Sequence, residues 1–240
     1  MTDKKYENRI IAYIDLLGFK EAVADEEKME SILDLLTQFI KQNGDHTPEW
    51  GYDTKTNEPI IQSISSSAFS DHIVISFLVI EDSYEDIRLL MVMQKLQNHI
   101  GDIAMTALSK GFLIRGAVTI GKLYHQNNMV FGKALVDAYN LESQTAIYPR
   151  ILISKELKEY IDSNDWRKKS VTYLVTQDFD GYWILNYIQH FFFGPPTDFR
   201  EKQVEEIIEN NLKRVETGSK SIIKWFYFKY NFLLKKDLRK

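Results

Sequence analysis

Two carboxylates in this sequence stand where packing alone explains a carboxylate poorly. Asp15 falls inside the apolar run 9–17, RIIAYIDLL, two residues before its end. Asp71 falls at the turn-to-strand junction of FSDHIVIS. An isolated carboxylate inside such a strand is costly to desolvate. A divalent cation between the two removes that cost. Mg2+ or Mn2+ takes oxygen ligands, commonly one or two carboxylates together with substrate phosphates. Directly after Asp15, the turn Leu16-Leu17-Gly18-Phe19 opens a helix. The free N–H groups and positive dipole end of that helix would face phosphates at the same place. Each aspartate taken alone reads as a turn former or helix cap. Their joint occurrence is what points to metal-assisted phosphate chemistry.

For the two side chains to meet, the elements must bring them together. Segment 9–17 predicts a strand buried on both faces. A helix is expected over 20–42, with Met29, Ile32, Leu33, Leu36, Phe39 and Ile40 on one face and Asn43–Gly44 ending it. After a polar loop, 45–58, strands are expected at 59–66 and 71–80, joined as an antiparallel hairpin. A helix over 84–110 capped by Gly111, a strand over 112–120, an arm from Gly121, and a helix over 132–146 follow. Pro149 opens a strand at 150–154, and two further strands are expected at 171–176 and 182–187. The order is β-α-β-β-α-β, then α-β and a closing hairpin, so the expected fold class is α+β, ferredoxin-like, with a mainly antiparallel sheet. In that split topology the first strand lies beside the hairpin, and Asp15 and Asp71 converge. Beyond Gly194-Pro195-Pro196 the composition changes to two helices, charged first and then aromatic. The expected division is therefore 1–194 and a C-terminal helical extension, 195–240.

Composition narrows the chemistry. Apolar residues make up 44% and charged residues 27% of the 240, which fits a globular chain and not a disordered one. The net charge of −4 argues against a nucleic-acid partner. The absence of cysteine excludes disulfides, thiolate zinc sites, iron–sulfur clusters and cysteine nucleophiles. No signal-peptide core and no uncharged apolar run of membrane-spanning length is present, so a cytoplasmic protein without stable membrane insertion is expected. His72, His99 and His125 have no metal-ligand spacing and read as ordinary surface or core histidines. Lys20 and Glu21 read as a solvated first helical turn.

The residues also carry a resemblance. Asp15-Leu16-Leu17-Gly18-Phe19 is similar to the D-[IL]-x-G-F motif of class III nucleotidyl cyclases, and Asp71 matches their second metal-binding aspartate. Arg115-Gly116-Ala117 through Gly121 resembles their R-x-G-x-x-x-G strand. Gly132 through Glu142, with Ala146, Pro149, Ile151 and Ser154, resembles their G-x-x-V-N-x-A-x-R-L-E…A-x-P…I…S region. The resemblance spans about residues 9–155. YIDLLGFK, FSDHIVIS, RGAVTIG and FGKALVDAYNLESQTAIYPRI look most like the pyrimidine cyclases of Pycsar anti-phage systems. The sequence departs from adenylyl cyclases at four positions. Val136 stands where they have a ribose-orienting Asn, Asn140 where they have the transition-state Arg, and Ser67 and a position near Met129 where they read adenine.

The resemblance implies that 1–194 is a cyclase domain converting UTP to 3′,5′-cyclic UMP and pyrophosphate, with CTP, a purine triphosphate or mere nucleotide binding as alternatives. It implies two Mg2+ or Mn2+ ions per site, held by Asp15, the Leu16 carbonyl and Asp71. One ion activates the 3′-hydroxyl and the other neutralises the leaving oxygens. A cation at the α-phosphate is expected from Arg115, Lys133 or Arg150, with Arg115 first because its strand should run beside that of Asp15. Its plainer role is to pair with a structural carboxylate. Leu16, Leu17, Gly18 and Phe19 are expected at the phosphates, Ser67, Phe69 and Tyr13 at the base, and Asn140 at the substrate in the place of the transition-state Arg. A homodimer with sites between subunits is implied, with the partner's 132–142 segment opposite Asp15 and Asp71. So is a separate effector activated by the cyclic nucleotide.

Overall fold

The computed structural model describes residues 6–43, 49–52, 59–127, 129–192, 197–215 and 219–238. The chain opens with β1 (Glu7–Leu17), α1 (Phe19–Ala22) and α2 (Glu26–Asn43). β2 (Glu49–Tyr52) and β3 (Pro59–Ile61) form a small separate ribbon. β4 (Ile64–Phe69), β5 (His72–Leu78), α3 (Glu85–Ser109), β6 (Leu113–Gln126), β7 (Met129–Phe131), α4 (Lys133–Thr145) and β8 (Ile151–Ile153) follow. Then come α5 (Lys155–Asp162), α6 (Asp165–Val171), β9 (Val175–Gln177), β10 (Trp183–Leu185), a 3-10 segment (Tyr187–Phe192), α7 (Thr197–Arg214) and α8 (Lys220–Asp237).

The main sheet runs β4-β5-β1-β6-β8-β10-β9, with β7 paired to β6. Among the described residues only the β6–β8 pair is parallel. Its first four strands have the ferredoxin-like arrangement, with β1 between the hairpin strand β5 and β6. The fold class is α+β, as the sequence predicts. β1 is apolar from Ile10 to Ile14 because both of its faces are covered there. Ile10, Ala12, Ile14 and Leu16 face a large core shared with Ile32 and Leu35 of α2 and Leu89, Met93, Leu96 and Ile100 of α3. Ile11 and Tyr13 face the other way, against Val74, Leu123, Ala134 and Ala138 under α4. Each fully buried aliphatic side chain here contributes about 1.5–3 kcal/mol. The strands approach very closely at Gly116, where an added Cβ would lie 2.4 Å from the Tyr13 carbonyl oxygen.

Several expectations are corrected. The helix over 20–42 is broken at Val23-Ala24-Asp25, because the Asp25 carboxylate accepts from the Lys28 N–H and starts α2 as a new helix. Leu33 is 63% exposed, and Leu35 takes the buried place assigned to it. The strand over 59–66 is divided at Gln62–Ser63 between two sheets. Asp71 is not on a strand but in a two-residue turn with Ser70, whose φ is 54°. The expected arm is the continuation of β6, which pairs with β7 around Asn127. The segment after β8 carries two unexpected helices. Ser154 caps α5 through the Leu157 N–H, and Asn164 caps α6 through the N–H groups of Trp166 and Arg167. The strand expected at 171–176 is only Val175–Gln177, since Val171 ends α6.

Both C-terminal helices are present. Val204, Ile208, Trp225, Phe228 and Phe232 join the same core as the sheet, and Phe192 stacks on Phe232 at 5.1 Å. Gly44, Pro195 and Pro196 lie outside the described residues. Among the described residues no helix is long and apolar enough to cross a membrane.

Candidate functional site

Register builds the site. Phe69 pairs with His72, His72 with Asp15, and Asp15 with Arg115, so four neighbouring strands place these residues in one row across the sheet. Side chains alternate along a strand, so the row shares the face of Tyr13. Asp71 joins from the adjoining turn, which is tied to β1 by the Leu16 N–H donating to the Asp71 carbonyl at 3.2 Å. The N–H and C=O of one strand residue point to the same side. The Leu16 carbonyl therefore also faces the turn, although its side chain is buried in the core behind the sheet.

Asp15 is almost fully buried and has a partner at each oxygen. Its Oδ2 accepts from Arg115 Nε at 2.7 Å, and its Oδ1 lies 3.6 Å from His72 Nε2. Asp71 Oδ1 accepts from the Ser70 hydroxyl at 2.9 Å and lies 3.0 Å from His72 Nδ1. Each of Asp15, Asp71 and His72 offers a donor atom, all within 4.8 Å of one another. The His72 ring is held by Tyr13 at 5.0 Å and by Phe69, stacked at 5.5 Å. His72, by spacing an ordinary histidine, is a member of the cluster. Two carboxylates with an imidazole at these separations fit a divalent cation by donor type and spacing.

α4 supplies a residue that the spacing argument missed. Ala134, Ala138 and Glu142 form its buried face at intervals of four, and Glu142, 2% exposed, reaches the row. Arg115 Nε is 2.7 Å from Glu142 Oε1 as well as from Asp15 Oδ2, but its N–H is aligned only with Asp15. Arg115 also donates to the Ala146 carbonyl at 3.3 Å. Burial pushes the Glu142 carboxyl up to about 7; Arg115 opposes this, and Asp15, through its charge and a hydrogen bond, adds to it. Burial, with Glu142, Asp15 and Asp71 nearby, likewise raises the Tyr13 phenol.

A pH prediction arises here. A folded Glu142 still holds its proton where the unfolded chain, at its ordinary 4.5, has lost it. The stability this confers is complete below the unfolded value and is lost as pH rises through about 7. The size is about 3 kcal/mol for the metal-free protein. Urea unfolding at about pH 5 and about pH 8 should show that fall, and Glu142→Gln should remove most of it. An equal fall in the variant would assign the pH dependence elsewhere.

The other expected residues are spread more widely. Phe69 is 44% exposed beside the carboxylates. Ser67, 3% exposed, bonds His125 Nε2 at 2.9 Å, while His125 Nδ1 meets the Ser76 hydroxyl, to which Arg9 donates. These contacts join Arg9, Ser76, His125 and Ser67 in one buried network, and the Ser67 hydroxyl is engaged. Leu17 and Gly18 line a different cavity of about 360 Å3, with Lys110, Arg214 and Trp225. Gly18 has a φ of 97°, and Phe19 starts α1. With four residues, α1 carries less of a dipole than the long helix expected. Asn140 is exposed on α4, about 200° around the helix from Glu142. Two candidate cations are elsewhere. Lys133 is exposed and pairs with Asp137, while Arg150 is locked in a buried network with Asp178 and Asp180.

No protein-family model matches the sequence, and no curated protein is detectably similar to it. Among solved structures, a bacterial light-regulated adenylyl cyclase is similar at 13% identity. The match covers 85% of this chain and 98% of that one, with a TM-score of 0.35. That likeness is too distant to assign an activity.

Proposed function

We propose that this protein is a pyrimidine nucleotide cyclase that converts UTP to 3′,5′-cyclic UMP and pyrophosphate. The observation that carries the reading is the convergence of Asp15 and Asp71, on β1 and the β4–β5 turn, with donor atoms within 4.8 Å. The order and spacing of the motifs over residues 9–155 support the reaction class.

In this reaction the 3′-oxygen forms a bond to the α-phosphorus, the bond to pyrophosphate breaks, and the hydroxyl proton is released. Asp15, Asp71 and the Leu16 carbonyl would hold the divalent cations. When bound, these ions acidify the hydroxyl and neutralise the leaving phosphates. Arg115 fixes the orientation of Asp15 by a charge-assisted hydrogen bond, so it acts as a positioning residue. Phe69 presents an exposed ring on which a base can stack. Positioning and charge account for most of the rate in phosphoryl transfer. The active form in this reading is a homodimer whose partner sets its 132–142 segment, Asn140 included, opposite the aspartates, and 1–194 is the catalytic unit with 195–240 as its extension. The product would act in anti-phage defence by activating a separate effector.

Base choice is tested by offering all four nucleoside triphosphates together with Mn2+ and identifying products by mass. Cyclic UMP is the expected product. Cyclic CMP would move the assignment to a cytidylate cyclase, and a cyclic purine product would overturn the pyrimidine reading.

A further inference from the structure

We infer that His72 is a third protein ligand of the centre and makes it prefer a transition-metal dication such as Mn2+ over Mg2+. This rests on the reading of Asp15 and Asp71 as metal ligands.

The ring is placed by the fold and not by side-chain freedom. His72 is the first residue of β5, paired with Phe69 on one side and Asp15 on the other. Tyr13 and Phe69 hold the ring at 5.0 and 5.5 Å. Arg115 takes Asp15 Oδ2, which leaves Oδ1 turned to the imidazole at 3.6 Å from Nε2. His72 Nδ1 is buried and lies 3.0 Å from Asp71 Oδ1 without hydrogen-bond alignment. Donor atoms around an ion with bonds of about 2.1 Å are separated by about 3.0–4.2 Å. Each of the two ring nitrogens has one carboxylate oxygen within that interval, Nδ1 at 3.0 Å from Asp71 and Nε2 at 3.6 Å from Asp15. One donor atom from each of the three residues lies within 4.8 Å of the others, so a small closure of the cluster brings all three onto one ion.

Metal preference follows from the donor set. Mg2+ demands hard oxygen donors in a near-ideal octahedron and is reluctant to lose its water. A neutral imidazole nitrogen adds more to later first-row dications, whose affinity for mixed nitrogen and oxygen sites rises along the Irving–Williams order. Compared with two aspartates alone, the imidazole moves the preference toward Mn2+.

The same contacts admit one other arrangement, in which a protonated His72 merely bridges the carboxylates and leaves when a cation enters. Electron paramagnetic resonance of Mn2+ added to the full-length protein separates the two. The expected result is Mn2+ binding with nuclear modulation from an imidazole nitrogen, which needs no variant. In His72→Gln that modulation disappears and Mn2+ affinity falls about tenfold. Mg2+ affinity, read by competition, changes less than about threefold. Bound Mn2+ without nitrogen modulation, or equal Mn2+ affinity in His72→Gln, overturns the assignment of His72 alone. Unchanged Mn2+ affinity in Asp71→Asn, or no binding by the wild type, overturns the aspartate centre and His72 with it.

Discussion

Asp71→Asn should reduce turnover by about a thousandfold, equivalent to about 4 kcal/mol of transition-state stabilisation. The substitution removes one negative charge and little else. The backbone bond from Leu16 N–H to the residue-71 carbonyl does not depend on the side chain. An asparagine oxygen can still accept from the Ser70 hydroxyl, which now meets Asp71 Oδ1. Residue 71 sits in a partly exposed turn, outside the buried core. The melting temperature should therefore stay within about 3 °C of the wild type, as for most changes away from a core. Steady-state rates with a melt of the same sample make the comparison. Turnover within about threefold of wild type would remove Asp71 from the chemistry. Asp15→Asn is the less clean probe, because it also removes the charge that Arg115, held between Asp15 and Glu142, is paired with.

Arg150→Met should cost about 3–5 kcal/mol of stability while leaving turnover per folded molecule nearly unchanged. Arg150 is 2% exposed. Its guanidinium donates to Asp178 at 2.6 Å and to Asp180 at 2.8 and 2.7 Å, and lies over the rings of Tyr148 and Tyr182. Asp178 also accepts from the Tyr227 hydroxyl of α8 at 2.5 Å. One cation thus joins the residue before β8, the β9–β10 turn and the C-terminal helix. Methionine matches much of its volume but leaves both carboxylates without their counter-charge. The loss should be largely recovered when Asp178→Asn and Asp180→Asn are added, since uncompensated charge is the main cost. Urea midpoints at constant slope would measure both effects. A cost below about 1 kcal/mol would mean the network contributes little beyond its packing. A loss of turnover in fully folded variant would return Arg150 to the active site.

That network shows where sequence reasoning stops. Arg150 precedes a strand and was a reasonable phosphate partner by type, but its acids are 28 and 30 residues away in a turn whose position depends on β10 pairing with β8. Asp15 and Asp71 were legible because β1 is covered on both faces and the split topology fixes its neighbour. His72 had an available signal: it follows Asp71 directly, and pairing Ile14 of β1 with Ile73 of β5 puts residue 72 beside residue 15. Spacing between histidines was the wrong test, because the other two donors are carboxylates. Glu142 was within reach through the interval of four from Ala134 and Ala138, but its partner Arg115 lies on another element. The caps at Asp25, Ser154 and Asn164 were visible as residue types. Apolar periodicity across 20–42 outweighed the first, and an expectation of strands after residue 154 hid the other two.

The most direct measurement compares UTP with 3′-deoxy-UTP, each with Mn2+, following pyrophosphate release and product mass. The account predicts cyclic UMP with one pyrophosphate per product from UTP, and neither from the analogue, which lacks the attacking oxygen. Pyrophosphate release from both nucleotides at equal rates would mean that water is the nucleophile. Tight binding of UTP with no product would contradict catalysis and make the aspartate cluster a nucleotide-sensing site.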